Sequence, residues 1–327
     1  MPGRHYDWLR ESSFSAASSS KNSKQQNVTI LQWCWPNGNT FKFSQDFCWK
    51  QLGIPNCRVV TQRSLFSEAD VVVFHNRGIN KEKLPLELPR PPGQRWAWLT
   101  REPSVRNGDR RQFAGLFNLT VHFRRDADVT IPYGGLLPQD SKTPMENIQW
   151  NKTDLVCWVV SNYRESYKRS QVYKELSAVV PVKVYGRWAN APLAPKDLLP
   201  TLSRCYFYLA FENTIAKDYI SEKLWRNSYQ SGAVPVVLGA SVQDYEAVAP
   251  PHSFIHVDQF ASVKELGKYL QQLAGDVKHY REYLQWRREW KVELPDWKWR
   301  LCQICLRYPS FPPYKVYDDL EAWDNVV

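Results

Sequence analysis

Short apolar runs recur along the chain, and segments with helical spacing lie between them. "VTILQWCWP" (28–36), the end of "SLFSEADVVVFHNR" (70–75) and "QRWAWLT" read as strands in the first half. "LVCWVVSN" (155–162), "VKVYG", "YFYLAFEN", "AVPVVLG" and "SFIHVDQF" read so in the second. "DRRQFAGLF", "RESYKRSQVYKELSAV" and "SEKLWRNSYQSG" read as helices; the second carries Val172, Leu176 and Val179 on one stripe, and the third ends at Gly232. "KDLLPTLSRC" reads as a broken helix and 262–292 as long polar helices. "NLTVHFRRDADVTIPYGG" adds extended structure. Strands interleaved with helices argue for parallel α/β sheets.

A chain of 327 residues holds one or two domains, and 43% apolar content with 15 Trp is enough to fill large cores. The polar, Pro-containing stretch 135–154 has the composition of a linker. The predicted architecture is therefore two Rossmann-like domains facing a cleft, 28–150 and 151–300, after a Ser-rich disordered tail, 1–27. No run reaches the roughly 18 apolar residues of a membrane span, and the N-terminus lacks the apolar core of a signal peptide.

Ligands of open parallel sheets bind at the carboxyl ends of strands. Three such ends in the second half are polar: Ser161-Asn162, Tyr185-Gly186 and Glu212-Asn213. The loop after Asn213 leads to a helix that opens with Glu222 and Lys223. A cation is disfavoured at that end of a helix. A bound phosphate would reverse the balance, and the plainer reading is a solvated lysine. Neither GxGxxG nor GxxxxGK[ST] occurs, which disfavours nicotinamide enzymes and P-loop NTPases. Glu102, at another strand end, is a candidate general base or an ordinary surface acid. Asp126 and Asp128 have the spacing of a metal-binding pair, but pairing with Arg124 and Arg125 or capping of a turn is favoured. The histidines show no metal pattern.

The net charge of +10 suits an anionic partner, yet the Lys and Arg residues form no long runs, so no nucleic acid is expected. Cys48, Cys57, Cys302 and Cys305 allow a zinc site or disulfides. The triplets at Asn27, Asn118 and Asn151 are N-glycosylation sequons, which favours disulfides in a secretory compartment. Seven cysteines leave one thiol over.

"FYLAFENTIAKDYISEKLWRNSYQSGAVPVVLG" resembles the donor-binding signature of the α-1,3-fucosyltransferases. "FNLTVHFRRDADVTIPYG" is similar to their acceptor-domain motif and "CWVVSN" to their inter-domain strand. The likeness runs from about Val28 to the C-terminus, and "WRN", "CQICLRYP" and "VYDDLEAW" resemble the leukocyte-type branch. The resemblance implies a GT-B glycosyltransferase that inverts at the anomeric carbon. Its N-terminal domain would bind an N-acetyllactosamine-type glycan acceptor, sialylated by preference, and its C-terminal domain GDP-fucose. No cofactor would be required, with a divalent cation at most a stimulant. Lys223 and Arg169 would meet the diphosphate, and Glu222 the hydroxyls of the nucleotide sugar. Asn213 and Tyr219 would shape the donor loop, Ser161, Asn162 and Tyr185 would line it, and Glu102 would be the general base. The family usually reads Glu-Ser-Pro where this chain has Glu102-Pro103-Ser104, which implies another backbone path there. Cys157 and Cys205 match a bonded pair of other members. Cys48, Cys57, Cys302 and Cys305 would pair locally or tie the tail 301–327 back to the N-terminal domain, leaving Cys34 free. The family implies the Golgi lumen, with membrane attachment only through an anchor that these residues do not include. A catalytically silent glycan- or nucleotide-binding protein of the same fold is the competing reading, as is a transferase for neutral acceptors.

Overall fold

The computed structural model describes residues 27–36, 42–44, 46–139, 152–294, 296 and 299–326. The Ser-rich tail ahead of Asn27, and the sequon residue Asn151, lie outside them. Contacts divide the chain into two units. Among the described residues, one comprises those up to Pro132 with those beyond Leu294; the other comprises those from Tyr133 to Leu294.

The first unit contains strands β1 (Val28–Cys34), β2 (Cys57–Val60), β3 (Val71–His75), β4 (Arg95–Leu99), β5 (Leu119–His122) and β6 (Val129–Thr130). They pair in parallel in the order β2-β1-β3-β4-β5-β6. Alternate residues of a strand face opposite sides, so each strand feeds two cores. Ile30, Val71, Val73 and Val121 pack on one face with Leu301 and Ile304 of the helix Leu301–Arg307. Leu31, Val72, Phe74 and Trp98 pack on the other with Leu320 of the helix Leu320–Asp324. The C-terminal residues therefore cover both faces of this sheet. Full burial of each such side chain is worth about 1.5–3 kcal/mol over leaving it in water. Cys302 and Cys305 share one helix face because they are three residues apart. They bond to Cys48, in the helix Phe47–Leu52, and to Cys57 of β2.

The second unit contains β7 (Gly135–Pro138), β8 (Asp154–Val159), β9 (Val182–Tyr185), β10 (Cys205–Phe211), β11 (Val234–Leu238), β12 (Ile255–His256) and β13 (Trp290–Glu293). Its main sheet runs β12-β11-β10-β8-β9, all parallel, and β13 pairs antiparallel with β7. A disulfide joins Cys157 of β8 to Cys205 of β10. In both sheets the strand order reverses beside the first strand, between β1 and β3 and between β8 and β10. Those are the switch points where ligands of such sheets bind.

Several local expectations change. The unit boundary falls at Pro132/Tyr133 rather than at 150/151, because β7 is a strand that pairs with β13 and not part of a linker. Residues 109–117 make only the 3-10 turn Arg111–Phe113. Gly108 just ahead of this segment and Gly115 within it adopt φ of 72°, and the Gly115 N–H is held by Tyr317 O at 2.9 Å. The polar helices after 262 stop at Glu282, apart from the turn Gln285–Arg288, and β13 follows. "KDLLPTLSRC" forms a continuous helix, Pro195–Leu202, with Pro200 near its end. The helix after the Asn213 loop is a π-helix, Lys223–Gln230, and Gly232 follows it at φ 83°.

The sequon residue Asn118 is half-buried. Its Nδ2 donates to Lys315 O at 2.9 Å, while its Oδ1 accepts the Trp96 N–H at 2.8 Å and an Arg90 guanidinium N–H. Asn27 is exposed.

Candidate functional site

In the second unit the polar strand ends gather at the β8/β10 switch point. Glu212 follows β10 and is buried, 4% exposed. Its carboxylate accepts the Ser221 N–H at 2.8 Å, the Ser221 hydroxyl at 3.0 Å and the Lys223 ammonium at 2.8 Å. Lys223 Nζ also donates to Ser221 Oγ at 2.7 Å and lies 3.6 Å from Glu222. Burial works against the lysine's charge, but Glu212 and Glu222 outweigh it and hold the ammonium above its ordinary range. Burial likewise opposes the charge of Glu222, and Lys223 and Arg226 keep its carboxyl below the usual range. The lysine is thus neither solvated nor waiting alone for an anion: the fold supplies Glu212. Sequence reasoning placed Glu212 at a strand end but gave it no role. The usable signal was the rule that a buried ammonium needs a paired carboxylate.

Arg169 stands in the first turn of the helix Lys168–Ser177, buried, and donates to the backbone carbonyl of Asn162. The strand-end residues Ser161 and Asn162 are exposed, and Tyr185 is half-buried at the end of β9. Gly186 follows at φ 104°, where a Cβ would stand 2.3 Å from Val160 O, so the two strand ends approach as only glycine allows. Asn213 keeps a buried Oδ1 without a hydrogen bond. Tyr219 is buried and meets Tyr133 edge-on at 6.0 Å, so it props the loop from within. One unit thus brings Glu222, Lys223, Glu212 and Asn213 to the end of β10, and Ser161, Asn162 and Arg169 to the end of β8. Two guanidinium or ammonium groups beside polar strand ends can hold a diphosphate.

In the first unit Glu102 follows β4. Its Oε1 accepts from Arg77, which follows β3, at 2.8 Å, and Arg106 Nε lies 3.9 Å from Oε2. Oε1 thus carries the closer of the two cation contacts. Pro103 leads into a 3-10 turn, Ser104–Arg106. The Glu102 N–H donates to Thr100 Oγ1 at 3.2 Å, and its carbonyl accepts from Asn107 Nδ2 at 3.1 Å.

Asp126 and Asp128 serve the fold. Asp126 is paired with Arg124, and Asp128 accepts from Thr120, Lys315 and Tyr317. Among the described residues the one group with metal-like spacing is Asp154, Cys157 and Cys205. Its two sulfurs are bonded to each other and its carboxylate to Lys183. Cys34 is the free thiol.

The same two-sheet fold occurs in a crystal structure of an α1,3-fucosyltransferase with GDP-fucose, with a TM-score of 0.59 and 17% identity over 93% of this chain and 95% of that one. That likeness carries the fold, the α/β architecture of the GT-B glycosyltransferases. The profile described as "Fucosyltransferase, N-terminal" matches residues 25–134, and "Glycosyltransferase family 10 (fucosyltransferase) C-term" matches 149–323. Alpha-(1,3)-fucosyltransferase 7 of Rattus norvegicus is 43% identical over 91% of this chain and 80% of its own length. The 4-galactosyl-N-acetylglucosaminide 3-alpha-L-fucosyltransferase 9 of Bos taurus is 40% identical over 93% and 84%. The chain belongs to glycosyltransferase family 10, the fucosyltransferases.

Proposed function

We propose that this chain is a GDP-fucose-dependent α-1,3-fucosyltransferase acting with inversion on O3 of GlcNAc in N-acetyllactosamine glycans, sialylated ones by preference. Family 10 membership across both units carries the reading, and the names of the relatives support the linkage. The second unit holds the donor: Lys223 and Arg169 meet the diphosphate, Glu222 the sugar hydroxyls, and Asn213, Tyr219, Ser161, Asn162 and Tyr185 form the surround. The first unit holds the acceptor. Its GlcNAc O3 attacks the fucose anomeric carbon as the bond to the GDP oxygen breaks. The Glu102 carboxylate takes the O3 proton. The charge left on GDP falls to the two cations, whose attraction is strengthened where water is excluded. To meet the diphosphate, Lys223 shares or exchanges its contact with Glu212.

No metal is required in this scheme; a divalent cation would act only as a further counter-ion of the diphosphate. The sialyl preference draws support from the net charge of +10 and from Arg77 and Arg106 beside Glu102. The three disulfides suit a secretory lumen such as the Golgi. Among the described residues no helix is long and apolar enough to cross a membrane.

The test offers purified protein and GDP-fucose to sialylated and neutral N-acetyllactosamine side by side, with chelator present. Fucosylation of both, faster on the sialylated acceptor, is expected. Faster transfer to the neutral acceptor removes only the sialyl preference. Binding of GDP without transfer to either acceptor favours a silent binding protein.

A further inference from the structure

Glu102 sits on a loop whose supports come from the far end of the chain. Asn107, 7% exposed, uses one amide nitrogen twice. Its Nδ2 donates to the Glu102 carbonyl at 3.1 Å and to Asp324 Oδ2 at 2.8 Å. The orientation of the amide is settled from its other side, where Oδ1 accepts from Thr100 Oγ1 at 2.9 Å and from Asn76 Nδ2 at 3.3 Å. Thr100 Oγ1 in turn accepts the Glu102 N–H. Both backbone polar groups of Glu102 thus end in one buried network that includes Asp324.

Asp324 is the last residue of the helix Leu320–Asp324, and its side chain is fully buried. Burying a carboxylate is costly unless charge and hydrogen bonds compensate it. Arg110 compensates here, with Nε 3.0 Å from Asp324 Oδ2. The same guanidinium donates to Ser104 O at 3.1 Å, to Gly108 O, and to Asn325 Oδ1 at 2.8 Å. Glu321 accepts the Arg110 N–H at 3.0 Å. Loop 102–110 is therefore gripped at Glu102, Ser104, Gly108 and Arg110 by groups that depend on the last helix. Leu320 and Trp323 pack that helix on the sheet; Asp324 adds a polar hold on Asn107 and Arg110, with His122 Nε2 3.6 Å from its other oxygen.

We infer that Asp324 is a positioning residue for the proposed base: through Asn107 and Arg110 it sets where the Glu102 carboxylate stands. This rests on the reading of Glu102 as the base. A displacement of about 1 Å at a reacting group costs on the order of a hundredfold in rate, so loss of this hold should appear in turnover.

The experiment measures kcat, KM for GDP-fucose and GDP affinity for the full chain carrying Asn107→Ala, Asp324→Ala, both together, or Asp324→Asn. Asn107→Ala and Asp324→Ala should each lower kcat about tenfold or more, with GDP affinity changed less than about twofold. The double variant should be no slower than the worse single one, because the residues act in series. Asp324→Asn, which keeps an oxygen for Asn107, should recover most of kcat. Wild-type kcat in either alanine variant, multiplied losses in the double variant, or an Asn variant as slow as the Ala one would overturn the inference. If Asp324→Ala fails to fold, seen as lost GDP binding, Asn107→Ala and Asp324→Asn decide on the same criteria. Glu102→Gln runs alongside. Full turnover in that variant removes the base and this inference together. An inactive Glu102→Gln with fully active Asn107→Ala and Asp324→Ala removes the inference alone.

Discussion

Lys223 is the residue whose meaning depends most on its partners. It is buried on Glu212 and Ser221 at the end of β10. Removing one member of a buried ion pair typically costs about 3–5 kcal/mol, since the other is left uncompensated. Lys223→Met should therefore destabilise the protein by about that much in denaturant unfolding, and Glu212→Gln on top of it should restore part of the loss. GDP affinity by calorimetry should stay low in both. Recovery of GDP affinity in the double variant would take Lys223 out of the diphosphate site. The sequence showed the lysine at a helix start but not its counter-ion, because the pair closes a loop of irregular backbone with no period to read. Cys34 makes a second residue-scale prediction. Burial pushes its thiol up from 9.0 to about 11, although the His75 carbonyl, Arg63 and Lys83 favour the thiolate. At pH 8 its thiolate fraction falls about a hundredfold below that of an ordinary thiol. Iodoacetamide labelling should be slower by that factor than in the unfolded, unreduced chain, and should rise tenfold per pH unit towards 11. Labelling at the unfolded rate would contradict the burial of Cys34.

At the scale of elements, the helix Leu301–Arg307 is the clearest case of a short segment held by covalent bonds. It carries Cys302 and Cys305 on one face and closes bridges across separations of 254 and 248 residues. Losing a native disulfide typically costs about 2–5 kcal/mol. The variant Cys302→Ser/Cys305→Ser, with Cys48→Ser and Cys57→Ser to avoid stray thiols, should unfold at a clearly lower denaturant midpoint. An unchanged midpoint would mean that apolar packing alone holds this helix. The spacing of "CQIC" pointed to a bonded or metal-holding pair, and only the fold decided between them. Elements with a strong apolar run, such as β3 and β11, were legible because they are covered on both faces. The segment 109–117 was not: its apolar residues suit a helix, but glycines at positive φ just before it and within it, with the bond to Tyr317, hold it open. β13 was hidden because a two-stranded pairing with β7 needs little apolar pattern.

For the whole molecule, alternating strands and helices were enough to predict parallel α/β sheets, and the polar strand ends do stand beside the switch point of the second sheet. The return of the C-terminal residues to the first sheet was visible only as unpaired cysteines and as a family likeness. The buried groups of the last helix, Asp324 above all, had no signal at all: an aspartate near a chain end reads as solvated until its neighbours are known. The chemistry of the proposed activity turns on Glu102. The most direct test is the initial rate of fucose transfer from GDP-fucose to sialylated N-acetyllactosamine by wild type and by Glu102→Gln, both saturated with donor. General-base catalysis contributes on the order of 10²–10⁴-fold. A fall of at least about a hundredfold is expected; equal rates would contradict Glu102 as the base.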